Sequence, residues 1–115
     1  MKLVLIAALA ATLAAPAALA RPSGSTLVAT VGPGFNITLT SGGKKVAKLK
    51  SGAYTIKVAD KSSIHNFHLT GPGVNKKTSV GAKVNQTWKV SLKKGTYKFV
   101  CDPHSTIMKG SFKVS

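Results

Sequence analysis

The chain has 115 residues, enough for one domain and little more, and sets 17 Lys and Arg against two acids, Asp60 and Asp102, for a formal charge of +15. A surface of that sign attracts acidic proteins, anionic lipids or nucleic acid. The basic residues, however, stand singly or in pairs and aromatic residues are few, which excludes a dedicated nucleic-acid groove of basic residues interleaved with stacking rings.

At the N-terminus, Lys2 precedes an apolar stretch from Leu3 to Ala20 that only Thr12 breaks, and Pro16 interrupts it. Ala18-Leu19-Ala20 then places small residues at the first and third positions before Arg21. This is the layout of a secretory signal peptide, residues 1–20, cleaved after Ala20. A retained membrane anchor is the alternative, since the stretch nearly reaches bilayer length, but the small-residue site and the helix-breaking proline favour cleavage. The expected product is exported across the cytoplasmic membrane, to the periplasm, the cell envelope or the medium, with no transmembrane span. It would run from Arg21 to Ser115, 95 residues carrying sixteen of the basic residues and both acids, a net charge of +14. That length supports one modest core. The single Cys excludes an internal disulfide, and an unpaired thiol in an oxidising compartment has two explanations, burial or metal ligation.

Residues 21–30 read as a loose leader and first strand. From there the hydrophobic pattern has period two, with Gly and Pro at the breaks. Strands are predicted over 26–31, 35–41, 53–59, 64–69, 84–92, 95–101 and 110–114, rich in Val, Ile, Thr, Phe and Tyr and bounded by Gly-containing turns. No stretch after residue 20 sustains a 3.6 period, so the expected fold is an all-β sandwich of about seven to eight strands. An internal echo supports it: Leu49-Lys-Ser-Gly-Ala-Tyr54 returns as Leu92-Lys-Lys-Gly-Thr-Tyr97. Each copy resembles a tyrosine corner, in which the phenol hydroxyl bonds backbone upstream at a crossover between sheets. Alternation after the tyrosines turns Ile56 and Val58 inward in one copy, Phe99 and Cys101 in the other. Trp88 and Phe35 read as core aromatics.

Cys101 has company that an ordinary core position lacks. Cys101-Asp102-Pro103-His104-Ser105-Thr106-Ile107-Met108 brings a thiol, an imidazole and a thioether into one short loop, and His65 follows the polar approach Asp60-Lys61-Ser62-Ser63. Thiolate and thioether suit Cu(I), imidazole suits both copper states, and a His₂Cys set with a weak axial Met serves both.

The segment Gly95-Thr-Tyr-Lys-Phe-Val-Cys-Asp-Pro-His104, continued by Met108-Lys-Gly-Ser-Phe-Lys-Val114, resembles the C-terminal copper loop of the cupredoxins, in particular plastocyanin, pseudoazurin and amicyanin. Ile64-His65-Asn66-Phe67 is similar to the His-Asn that supplies the first ligand in that family. The resemblance makes residues 31–115 a copper-binding domain and implies a Greek-key sandwich holding one type 1 copper. It implies His65, Cys101 and His104 as equatorial ligands and Met108 as the axial one, with Asn66 tying the ligand loops together. His104 would be the ligand nearest solvent, with Pro103, Ile107 and the Gly71-Pro72-Gly73 turn as an apolar rim. Three residues separate His104 from Met108, a length between those of amicyanin and plastocyanin. Asp102, where the family often has a small polar residue, is expected to lower the potential or pair with a lysine. Val100 replaces an aromatic that plastocyanin uses in docking, and the acidic patch of that protein has no counterpart. His68 lies three residues from His65, so on one extended strand the rings point to opposite faces. Only His65 then joins Cys101, and His68 stays at or near the surface.

The expected function, implied by the copper loop, is a one-electron carrier; no enzyme is expected, for the residues supply no open ligand position, carboxylate pair or nucleophile–base pair. The expected partner is an acidic redox protein docking transiently near His104, the carrier itself being a monomer. Copper storage or delivery is one alternative, and a metal-free interaction module with Cys101 merely buried is another.

Overall fold

The computed structural model describes residues 25–115; the expected signal peptide, its cleavage point and the leader up to residue 24 lie outside the described residues. Ten strands form: β1 Ser25–Val31, β2 Ile37–Ser41, β3 Lys44–Lys45, β4 Lys48–Leu49, β5 Gly52–Asp60, β6 His68–Gly71, β7 Val74–Lys77, β8 Val84–Leu92, β9 Gly95–Val100 and β10 Lys109–Val114. They build two five-stranded sheets, in the orders β3-β2-β1-β5-β8 and β4-β10-β9-β6-β7. Both sheets are mixed, because β1 runs parallel to β5 and β10 parallel to β4 while the other pairs are antiparallel. No helix among the described residues is long and apolar enough to cross a membrane.

The all-β sandwich follows from the period-two pattern. In β5 the alternate residues Tyr54, Ile56 and Val58 are buried, and in β9 Tyr97 and Phe99, while the residues between them face out. These meet Leu27, Leu39, Leu69, Trp88 and Phe112 in one core cluster. The strands predicted from sequence are present with shifted ends, and β3, β4 and β7 were not foreseen. Each is two to four residues long, too short to show alternation. One correction bears on the site. The stretch expected to be a strand over 64–69 is irregular as far as Phe67, and β6 begins only at His68. Here the side chains of Asp60 and Ser62 accept from the N–H groups of Ser62 and Ile64, bonds that compete with a ladder.

Both tyrosine corners are present, each just after the chain crosses between sheets. Tyr54 donates its hydroxyl to the Lys50 carbonyl at 2.6 Å. The Tyr97 hydroxyl does more: it accepts from the Lys93 amide at 2.8 Å and faces the carbonyls of Lys93 and Pro72 at 3.0 and 3.1 Å. It thereby ties the crossover into β9 to the β6–β7 turn. The ring itself lies across Gly71, where any Cβ would overlap it, and stacks on Phe112 at 5.2 Å.

This difference between the corners is measurable. Tyr97→Phe should cost about 2–3 kcal/mol, because it strips partners from two buried backbone segments, and Tyr54→Phe about 1 kcal/mol for its single bond. Urea unfolding with unchanged slope would show it; equal losses would mean that the Pro72 contact adds nothing.

Candidate metal centre

One end of the sandwich gathers three loops: residues 32–36 between β1 and β2, 61–67 between β5 and β6, and 101–108 between β9 and β10. The last is closed tightly by its own backbone. Cys101 N–H donates to the Met108 carbonyl at 3.0 Å, and the His104 carbonyl accepts from Ile107 and Met108 at 3.0 and 2.8 Å. Pro103 opens a single 3₁₀ turn over Asp102–His104, which swings His104 back over Cys101. Met108 is buried in the core cluster.

The 61–67 loop is built on Asp60 and Thr78. The buried Asp60 carboxylate accepts from Ser62 N–H at 3.2 Å and the Thr78 hydroxyl at 3.0 Å. Thr78 Oγ1 in turn accepts from Phe67 N–H at 2.9 Å, and Ser62 Oγ from Ile64 N–H at 3.1 Å. Burial pushes the Asp60 carboxyl above the usual carboxylate range, against these bonds and the nearby His65, which pull it down. The loop is closed on its other side by Gly32. Its φ of +75° suits glycine, and a Cβ there would come within 2.8 Å of Ser62 Cβ and 3.4 Å of His65 Cδ2.

These loops bring His65, Cys101 and His104 together. The two Nδ1 atoms face each other at 3.1 Å, and each lies 3.6 Å from Cys101 Sγ. His65 and Cys101 are fully buried, and His104 is half-buried. The centre of that triangle lies about 2.0 Å from each corner, close to the bond lengths of roughly 2.0–2.3 Å that imidazole nitrogen and thiolate make to a first-row metal ion. His65 Nε2 is buried without a hydrogen-bond partner among the described residues. A metal fits the donor set.

Asn66 locks the two donor loops together. Its side chain accepts from Asp102 N–H at 2.7 Å and donates to Asp102 Oδ2 at 2.8 Å and to the Thr78 carbonyl at 3.2 Å. Its backbone N–H points at Cys101 Sγ, 3.4 Å away. Asp102 pairs not with a lysine but with His68, whose Nδ1 is 2.8 Å from Oδ1, while His68 Nε2 meets Asn75 Oδ1 at 2.7 Å. His68 therefore stands apart from His65 as expected, half-buried on the outer side, although the reason is the loop rather than strand parity. Burial would raise the Asp102 carboxyl, but hydrogen bonds from His68 and Asn66, with the charges of His68 and Lys77, outweigh it and hold the group below its ordinary range.

Two expectations fail here. Phe35 is not a core aromatic; it is 60% exposed and caps the donors edge-on, with ring centroids 5.1 Å from His65 and 5.0 Å from His104. Its place in Gly32-Pro33-Gly34-Phe35, a turn that no strand can use, was the available signal. The Gly71-Pro72-Gly73 turn does not rim His104, because β6 runs antiparallel to β9 and carries that turn to the opposite end, against Gly95 and Tyr97. The exposed apolar residues around the donors are Phe35, Ile64 and Ile107.

The sequence profile of the copper binding proteins, plastocyanin/azurin family, matches residues 18–115. No curated protein matches the chain. Among solved structures, rusticyanin from Thiobacillus ferrooxidans superposes with a TM-score of 0.54 at 24% identity, over 81% of this chain and 79% of that one. Reduced rusticyanin gives 0.56 at 23% identity, over 81% of both chains. A further rusticyanin structure, described as that of a copper protein, gives 0.58 at 21% identity over 81% and 80%. Identities this low establish the shared fold.

The His68–Asp102 pairing generates a pH prediction for the copper-free protein. A carboxyl held below its unfolded value adds stability that is full above the ordinary carboxylate range and is lost progressively as pH falls through that range to the group's own lower value. Asp102→Asn should therefore be less stable than the parent at about pH 6, with the gap narrowing as the solution is acidified below the ordinary carboxylate range. Denaturant unfolding at several pH values measures it; a constant gap would show that charge plays no part in the pairing.

Proposed function

The chain belongs to the copper-binding plastocyanin/azurin family and its cofactor is copper, and we propose that it is an exported one-electron carrier whose metal is held by His65, Cys101, His104 and Met108. The observation that carries this reading is the convergence of two imidazole Nδ1 atoms and one thiol sulfur within 3.1–3.6 Å of one another. Bound copper supplies a Cu(I)/Cu(II) couple. The chain does the rest. His65 and Cys101 contribute donors from full burial, where water cannot compete. Asn66 and Asp102 hold the two loops in register, so the donor positions stay fixed when charge on the site changes. Met108, buried at the end of the same loop, is the proposed weak axial donor. His104, the only partly exposed member of the triangle, is the proposed exit for the electron, and Phe35 and Ile107 give it an apolar surround. With four donors engaged, the site has the character of a carrier rather than an enzyme.

Titration with Cu(II), followed by optical and paramagnetic-resonance spectra, tests the assignment. One equivalent should give an intense thiolate-to-copper band. Cys101→Ser and His65→Ala should abolish or grossly alter it, while His68→Ala leaves it near the parent. Met108→Leu should keep the colour and raise the potential, since Cu(I) accepts the remaining three donors more readily than Cu(II) does. A Cys101→Ser protein that stays blue would falsify the ligand set.

An apolar contact on a strongly basic molecule suits brief docking with an acidic redox protein, the charges acting on the encounter rate. Electron exchange with an acidic partner should slow steeply as salt rises and flatten or invert with a basic one. Indifference to ionic strength in stopped-flow measurements would leave the lysines without a steering role.

A further inference from the structure

Neither acid of this chain is available to its lysines. Asp60 is buried and bonded to Ser62 and Thr78, Asp102 is taken by Asn66 and His68, and among the described residues the His68–Asp102 contact is the only acid–base side-chain pair. Apart from Lys77, whose charge acts on Asp102, the lysines have no acidic partner among the described residues, and several of them crowd together.

The outer faces of the two sheets differ. In the first sheet Lys57 and Lys89 point outward from β5 and β8, and Lys44 and Lys45 stand on the short edge strand β3; most of the other outward positions are small or uncharged, Thr30, Thr38, Thr40 and Thr55 among them. The outer face of the other sheet carries Lys48 on β4, Lys109 and Lys113 on β10, Lys98 on β9 and Lys77 on β7. The register packs them closely. Lys113 and Lys48 are ladder partners, about 4.8 Å apart at the backbone. Lys98 lies opposite Ser111, hence diagonal to both Lys109 and Lys113 at about 7–8 Å. Lys45 reaches the same shallow depression beside Lys98 and Lys109. All these separations fall within the roughly 8 Å over which physiological salt screens charge. Like charges placed so closely across a sheet destabilise it, and no contact inside the fold offsets the repulsion.

An outside partner must then supply the negative charge, and the shape of the face restricts what it can be. Tyr97, Phe99 and Phe112 all point into the core, so no Phe, Tyr or Trp of these strands is available to stack a base or anchor in a protein pocket. The side chains between the lysines are the exposed Ser111 and Thr96 and the half-buried Thr70 and Val100, which leave a broad, largely polar face rather than a deep groove. A plane of lysine point charges matches a plane of phosphates. We propose that the outer face of the β4-β10-β9-β6-β7 sheet adsorbs the protein onto an anionic lipid surface, with Lys48, Lys98, Lys109 and Lys113 at the centre of the contact. The donor loops stand at the end of the strands, beyond Val100. A protein lying on this face keeps Phe35, His104 and Ile107 at its edge, free to meet a partner by diffusion in two dimensions. The adsorption does not depend on copper or on electron transfer.

The test is cosedimentation of the protein, produced by expressing the full chain, with vesicles of phosphatidylcholine alone or with about one third phosphatidylglycerol. Each lysine near such a surface contributes about fivefold in affinity. The parent should bind only the anionic vesicles, and Lys98→Gln with Lys113→Gln should weaken that binding about twentyfold or more. The charge-matched pair Lys57→Gln with Lys89→Gln should weaken it less than about threefold. Equal losses in the two double variants would show that net charge alone is at work and overturn the proposal. So would equal binding to neutral vesicles, or a preference for a nucleic-acid duplex over anionic vesicles.

Discussion

A thiol and two imidazoles can be held within 4 Å of one another only if the loops that carry them are fastened together, and in this chain the fastening is Asn66 with Asp102. The pair is reciprocal: the Asn66 carbonyl oxygen takes the Asp102 N–H, and its amide returns a bond to the Asp102 carboxylate. Residues 36 apart in sequence are thereby set side by side, and the position of each neighbour follows. His65 precedes Asn66 and Cys101 precedes Asp102, so locking the second residue of each pair locks the first. The Asn66 amide on Cys101 Sγ is a by-product of the same alignment. A hydrogen bond from the backbone to that sulfur withdraws electron density from it, which is one of the levers a protein has over a metal–thiolate bond.

The rest of the fold transmits rigidity to this fastening. Asp60 ends β5, one of the two nine-residue strands of its sheet, and is buried to hold Thr78, and Thr78 holds both Phe67 and, through its carbonyl, Asn66. An acid is placed where burial works against its charge, and its hydrogen bonds offset only part of that. From the other side, the Cys101–Met108 loop is closed by β9–β10 pairing that begins at Val100 and Lys109. Two sheets thus meet at one end through polar struts, while the tyrosine corners fix the crossovers elsewhere.

What the sequence made legible was whatever is local. Cys101, His104 and Met108 share eight residues, and the alternation from Tyr97 places Phe99 and Cys101 on the buried side without knowledge of any partner. The sandwich itself was equally legible, because period-two burial is written into each long strand. Less legible was anything decided by a distant segment. Phe35 looks like a strand residue until the Gly32 turn is seen pressed on Ser62 and His65, which lifts the ring out of the core and over the donors. Asp102 looks like a lysine partner in a chain so basic; the topology instead pairs His68 with Val100, beside it, and so offers an imidazole first. His65 and His68 were separated correctly through a strand that does not exist, because a loop held by Asp60 and Thr78 also turns successive side chains to different sides.

The two acids explain the surface as well as the site. In a chain with 17 basic residues, the inexpensive use of a carboxylate is to neutralise a neighbouring lysine, and neither Asp60 nor Asp102 does so. Both serve as struts of the donor loops. The lysines are left to repel one another, and register alone determines where that repulsion concentrates: on β10, β9 and β4, where Lys113, Lys98 and Lys48 adjoin. The donor end is different in kind, since Phe35, Ile64 and Ile107 are exposed there and uncharged. An apolar contact lets a partner approach and leave without desolvating charge, whereas a field of lysines holds an anionic surface through many weak contacts. The two features occupy different parts of the molecule, the lysines on the outer face of one sheet and the apolar residues at the end of the strands, so that occupying one leaves the other free.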